Sequence, residues 1–392
     1  MPDDGDGAKS SPPRRVLPLL LVGYAAFYLC RANVEPALNL LAIEHGYDNE
    51  ELGLVMGLAL GAYACGKLVF GPLADVLGGK RILVASLLGT AIVSVAIALS
   101  DAPRRFGAHA GLVVIGALVV ANRFVQAGGW GGLVDVVGTT YGAARRGTIM
   151  GILSTSYDVG NVLALVLSAG IVHLGAGWRA LFVVNPLIVL VVAMTVRAGL
   201  PAAPSRARAV EETPAAPTGT APPFATIALR LARQRALWFA TALSFLLTFV
   251  RAGFMTWTPR FLYEVSVAAN VPSPTSSSIA KSAFFGIAGI VGSVVTGRIS
   301  DRLGPGRRAP VMTTSLALLL VCTLGLAHAG VRSALVATLG VAACGLFLLG
   351  PYSLLAGAVS LDVAEAASAA TGGEDGASRG AATAAGVVHA VG

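Results

Sequence analysis

Charge is scarce in this sequence. Asp, Glu, Lys and Arg make up 12% of 392 residues, against 55% hydrophobic ones, and the mean hydropathy is +0.75. A soluble protein of this size could not cover its surface with so few charges, so the solvent around most of the chain is lipid. Cysteine is scarce as well. The four, Cys30, Cys65, Cys322 and Cys344, stand inside apolar runs with no CxxC and no metal-ligand spacing. That argues against a disulfide framework or metal centre and predicts buried free thiols. No nucleophile–base constellation occurs, so neither an enzyme activity nor a cofactor is expected. The net charge of +8 does not call for nucleic acid, because most Arg residues lie in short clusters between apolar runs and read as topology signals. Glycine, in contrast, is plentiful at 48 residues, which suits close helix–helix contact in a membrane.

A membrane span needs about 20 apolar residues. By that measure helices are expected over 16–43, 51–76, 81–100, 110–141, 146–173, 179–197, 236–264, 277–303, 310–330 and 332–361, with the start of an eleventh at 379–392. The first run is too long for the core of a signal peptide and has no small-residue cleavage site, so it counts as a helix. The expected organisation is a polar cytoplasmic tail over 1–15, an N-terminal half over 16–199, a cytoplasmic linker over 200–235 rich in Pro, Ala and charge, and a C-terminal half over 236–392. The chain stops inside its eleventh apolar run, so the second half reads as incomplete and the sequence as a fragment. Lys and Arg concentrate in alternate loops, which places the N-terminus in the cytoplasm.

Two stretches repeat. GPLADVLGGKR (71–81) and GRISDRLGPGRR (297–308) each set Gly, then Asp four residues on, then basic residues past a Gly-rich turn. Each follows the second helix of its half. Parallel six-helix repeats joined by a long inner loop describe the major facilitator architecture, an all-α membrane fold of two six-helix halves. Asp75, Lys80, Arg81, Asp301 and Arg308 are expected to gate the inner mouth, since an Asp at a helix end facing the other half can pair in only one state.

Four cations fall where lipid should be: Arg31, Lys67, Arg123 and Arg251, each about halfway along its span. Intramembrane charges almost always face a cavity and mark a substrate or ion path. Two of them at an assumed 8 Å, with an effective dielectric near 20, repel by about 2 kcal/mol. A dianionic ligand between them reverses the sign, and the planar fork of Arg suits phosphate. The alternative is internal pairing with Glu35, Asp135 or Asp158. Glu35 stands four residues after Arg31, on the same face of a continuous helix, and is expected to serve as its counter-ion when the site is empty.

Several blocks resemble the organophosphate:phosphate antiporter family of the major facilitator superfamily. They are GYAAFYLCRAN (23–33), LGAYACGKLVFGPLADVLGGKR (60–81), ANRFVQAGGWGG followed by GILSTSYDVGN, RAGFMTWTPRFLYE (251–264), GPYSLLAGAVSLDVAE and RGAATAAG. The resemblance implies that Arg31 and Arg251 bind phosphate with help from Lys67. It also implies that Tyr157 stands where glycerol-3-phosphate antiporters carry a substrate-linked histidine. Tyr24, Phe27 and Tyr28 become candidate cavity residues. The chain departs from the family at Ala32, Gly131, Gly132, Asp135 and Gly286, and Arg123 follows the general facilitator pattern. The resulting expectation is a monomeric inner-membrane antiporter that exchanges a small phosphorylated anion for inorganic phosphate. The alternatives are a proton-coupled carrier of another organic anion and a transporter-like sugar-phosphate sensor.

Overall fold

A computed structural model describes residues 15–141, 143–201, 235–303, 308–330 and 333–355 of the chain. Among these the secondary structure is helical: α1 (Val16–Leu29), α2 (Val34–His45), α3 (Asn49–Leu77), α4 (Gly79–Leu99), α5 (Ala102–Phe106), α6 (Ala108–Gln126), α7 (Gly128–Thr140), α8 (Ala143–His173), α9 (Trp178–Gly199), α10 (Arg235–Ala268), α11 (Pro274–Leu303), α12 (Arg308–Ala329) and α13 (Ala334–Leu354). Among the described residues nine stretches are long and apolar enough to cross a membrane. The 34-residue α10, about 50 Å long, packs with them as a tenth. Residues 202–234 of the expected linker, the end of the tenth span past 355 and the eleventh helix at 379–392 lie outside the described residues.

The first span is not the continuous helix expected over 16–43. It breaks at Cys30–Asn33, between α1 and α2. The cause is visible at Pro36, which lacks an N–H and whose ring would meet the carbonyl of Ala32 in an unbroken helix. The expected fourth span, 110–141, is likewise two helices, α6 and α7, meeting at Ala127.

Each half has its own apolar core, built around residues such as Leu20, Leu83 and Leu133 in the first and Leu262, Val341 and Leu348 in the second. Glycine permits the closest approaches. A Cβ at Gly160 would lie 2.5 Å from the Ala25 carbonyl oxygen, so α8 packs on α1 backbone to backbone. Gly132 is similarly placed, 2.7 Å from the Gly79 oxygen, which explains why no larger residue follows Trp130 there. The thiols are free, as expected, but not all buried: Cys30 and Cys344 are, whereas Cys65 is exposed and Cys322 partly so. An apolar run in a membrane protein also has a lipid-facing side.

Apart from the contacts of Tyr157 and Asp158 with Arg251, the described packing between the halves gathers at the bundle end away from the N-terminus. Leu165 and Ala169, late in α8, pack on Ile279 and Ala283, early in α11. A Cβ at Gly286 would stand 3.0 Å from Val162 Cγ2, so an acidic residue at that position would not fit without a shift. Trp257 lies against Gly53, whose Cβ would be 3.4 Å from Trp257 Cζ2. Nearby, Arg260 Nη1 donates to Asn39 Oδ1 across the interface at 3.0 Å. That end is closed.

Candidate functional site

A broken helix leaves carbonyls without their usual donors, and buried carbonyls must find others. In the first span they find them on α6. Gln126 Nε2 donates to the Cys30 carbonyl at 3.0 Å, and Arg123 Nη2 donates to the Arg31 carbonyl at 3.1 Å. Gln126 Nε2 is also close to Asn122 Oδ1. Asn122 Nδ2 in turn donates to the Thr90 carbonyl and to Ser94 Oγ, both at 3.0 Å. On the other side Asn33 Nδ2 donates to the Leu181 carbonyl at 3.0 Å. The segment carrying Arg31 is therefore held by two buried side chains of α6 and, through its own Asn33, by a backbone carbonyl of α9.

Glu35 does not pair with Arg31. Its carboxylate lies 3.0 Å from Arg123 Nη2, with both side chains about one-tenth exposed or less. The break takes away the shared helical face on which the expected Arg31–Glu35 pairing depended. Arg123 thus acts on the backbone of the first span through one amino group and is neutralised there by Glu35. Among the described residues no carboxylate lies within salt-bridge distance of Arg31 or Lys67.

Aromatic rings take the place of counter-ions. The Arg31 guanidinium stands 4.2 Å from the Tyr63 ring centroid and 5.3 Å from that of Tyr28. Lys67, one turn after Tyr63 on α3, places its ammonium 5.1 Å from the same Tyr63 ring. Tyr28 adjoins Tyr157 of α8, with centroids 6.1 Å apart. Beyond Tyr157 comes Arg251 of α10, 4.6 Å from the Tyr157 centroid and 4.9 Å from that of Tyr352 on α13. Each contact is a cation–π interaction of about 0.5–2 kcal/mol. The series Lys67, Tyr63, Arg31, Tyr28, Tyr157, Arg251, Tyr352 runs from the first half into the second. Asp158 closes it, its Oδ1 3.5 Å from Arg251 Nη2.

Lys67, Arg31, Tyr157 and Arg251 are thus brought into one continuous set of contacts, while Arg123 and Glu35 lie behind Arg31. Tyr63, Tyr352 and Gln126 are absent from the residues expected from sequence. The spacing of Tyr63 one turn before Lys67 was the available signal for the first. Tyr24 and Phe27 pack around the series, Tyr24 with its centroid 5.3 Å from that of Trp130.

The expected gating residues are placed less uniformly. The side chains of Asp75 and Asp301 lie outside the described residues. Lys80 Nζ donates to the Leu200 carbonyl at the end of α9, within its own half, and Arg81 is exposed. Arg308 begins α12. Asp135 accepts from the Gly79 amide at 2.7 Å and so caps the start of α4. The open groove lined by Arg15, Leu19, Leu190 and Met194 lies between α1 and α9 and holds none of the intramembrane charges.

The two-half helical architecture agrees with a family match over residues 20–385, to the Major Facilitator Superfamily. The chain belongs to that superfamily. It is a multi-pass membrane protein, and its relatives are carriers, not enzymes. It is 26% identical over 331 residues to a probable hexose phosphate transport protein of Chlamydia pneumoniae, a match covering 80% of this chain and 70% of that one. It is 25% identical over 369 residues to the glycerol-3-phosphate transporter of Bacillus subtilis (strain 168), covering 90% and 79%. A phosphoglycerate transporter protein of Salmonella typhimurium is 26% identical over 354 residues, covering 82% and 72%. These names agree with the resemblance to the organophosphate:phosphate antiporters. Among solved structures, a bacterial homologue of the human lysosomal transporter Spinster, inward-facing and unoccupied, superposes with a TM-score of 0.69 at 16% identity, covering 96% of this chain and 79% of that one. The xylose transporter XylE from E. coli gives 0.62 at 16% identity, covering 95% and 89%. At such identities the likeness is one of fold.

Proposed function

We propose that this major facilitator protein carries phosphate esters of sugars or glycerol across the inner membrane and exchanges them for inorganic phosphate by alternating access. One observation carries the reading: Arg31 and Lys67, two cations inside membrane spans, have tyrosine rings but, among the described residues, no carboxylate beside them, and the same tyrosine series leads to Arg251 in the other half. Two uncompensated positive charges match one phosphate group, which carries a charge of about −1.5 to −2 at pH 7. Arg offers phosphate two parallel hydrogen bonds. Drawing Arg31 and Arg251 onto one phosphate would tie the halves together, which is the differential contact a transport cycle requires. The names of the relatives support the same cargo.

With the N-terminus in the cytoplasm, as the distribution of Lys and Arg favours, the closed end of the bundle is the outer face. The described contacts then close the outer side. An empty site with two uncompensated cations is disfavoured in a closed, desolvated carrier, so the loaded protein crosses faster than the empty one. This favours exchange over net uptake. The test is uptake of labelled glycerol 3-phosphate into proteoliposomes with and without internal phosphate. Strong stimulation by internal phosphate is expected. Equal uptake into empty vesicles driven by a pH gradient would favour a proton-coupled carrier, and binding without turnover would favour a sensor.

A further inference from the structure

Asp158 is the one carboxylate that meets the cation series among the described residues, and the carrier reading above does not use it. It belongs to α8 in the first half, and its partner Arg251 belongs to α10 in the second. Both side chains are close to nine-tenths buried, 11% and 12% exposed. The contact uses Arg251 Nη2, whereas Arg251 Nε is buried without a hydrogen-bond partner. That donor is unspent, so a phosphate oxygen can take it once side chains move to admit the ligand, while Asp158 keeps its place. The carboxylate then remains beside the bound ligand.

The charges can be counted. Arg31, Lys67 and Arg251 contribute three positive charges and Asp158 one negative; Glu35 and Arg123 cancel each other. Among the described residues the site therefore holds two net positive charges, which one phosphate dianion neutralises. We propose that Asp158 sets the charge of the accepted cargo, so that the carrier takes inorganic phosphate and phosphate monoesters of neutral alcohols and rejects phosphorylated carboxylic acids. The proposal rests on the phosphate-carrier reading and adds to it which esters pass. The similarity to other carriers does not decide the matter, because the relatives are named for both kinds of cargo.

The size of the effect follows from like-charge repulsion. We take a second acidic group on a small ligand to lie about 6 Å from Asp158. At an effective dielectric between about 20 and 40 this weakens binding by about 10- to 100-fold. A carboxylate on the cargo cannot escape to Arg123, which is buried at 5% exposure and already paired.

The experiment is competition against labelled inorganic phosphate exchange in proteoliposomes of the full-length protein, with unlabelled glycerol 3-phosphate and 3-phosphoglycerate as competitors. Wild type should prefer glycerol 3-phosphate at least tenfold. In Asp158→Asn that preference should fall by tenfold or more, and in Asp158→Glu it should persist. Equal competition by the two esters in wild type overturns the proposal, whatever the variants do. So does an unchanged ratio in an Asp158→Asn protein that still exchanges phosphate. Absence of any phosphate exchange in wild type overturns the carrier reading itself, a result distinct from a carrier that works without charge selection.

Discussion

The Glu35 carboxylate sits 3.0 Å from Arg123, a residue of another span, and leaves Arg31, one helical turn away in sequence, without an anionic partner among the described residues. The consequence is a division of labour among three charges inside the membrane spans. One pair, Glu35 and Arg123, neutralises itself and holds the break in the first span. In the proposed carrier the other arginine, Arg31, keeps its fork for a ligand.

Glu35→Gln should therefore act on stability. It strands Arg123 in a buried position, and removing one partner of a buried pair costs about 3–5 kcal/mol. Thermal unfolding in detergent should show a clear fall in Tm, and Glu35→Gln combined with Arg123→Gln should recover part of it. Phosphate affinity should not tighten in Glu35→Gln, because the carboxylate does not compete for Arg31. A tightened affinity with unchanged Tm would restore the Arg31–Glu35 pairing expected from sequence.

Gln126→Leu removes the donor to the Cys30 carbonyl. An unsatisfied buried acceptor costs about 1–3 kcal/mol, and the segment carrying Arg31 loses one of its restraints. Binding of inorganic phosphate should weaken more than the fall in Tm alone explains, as measured by calorimetry below the unfolding transition. Unchanged affinity in a destabilised protein would mean that the break does not position Arg31.

The Arg260–Asn39 hydrogen bond spans the two halves at the closed end. Arg260→Ala should weaken that closure. Ser278, fully buried at the same end, provides a reporter. A Ser278→Cys protein should react slowly with an impermeant maleimide added outside, and several-fold faster once Arg260→Ala is added. Equal rates would show that the apolar contacts of Leu165, Ala169, Ile279 and Ala283 hold that end shut without the hydrogen bond.

Much of this was legible from residues alone. Ten spans follow from the lengths of apolar runs, because lipid imposes a minimum length that soluble helices do not share. Arg31, Lys67 and Arg251 stood out because charge in lipid requires a reason. The break in the first span was overlooked although Pro36 announces it, since proline is common enough in membrane helices to be read as tolerated. The partner of Glu35 was not legible: which of several distant cations it meets depends on how the spans pack. Tyr63 and Tyr352, unlike Tyr24, Tyr28 and Tyr157, are not marked by the family resemblance, and a tyrosine's role beside a cation shows only once the helices are packed. Cys65 was misjudged because hydropathy does not distinguish a protein-facing from a lipid-facing side.

Calorimetric binding of inorganic phosphate to purified wild type, Arg31→Lys and Arg251→Lys tests the central claim most directly. Lysine keeps the charge and loses the planar fork. Saturable binding in wild type should fall by tenfold or more in each variant, while both variants stay folded and monodisperse. Wild-type affinity in either lysine variant would contradict a site in which the two arginines hold one phosphate between the halves.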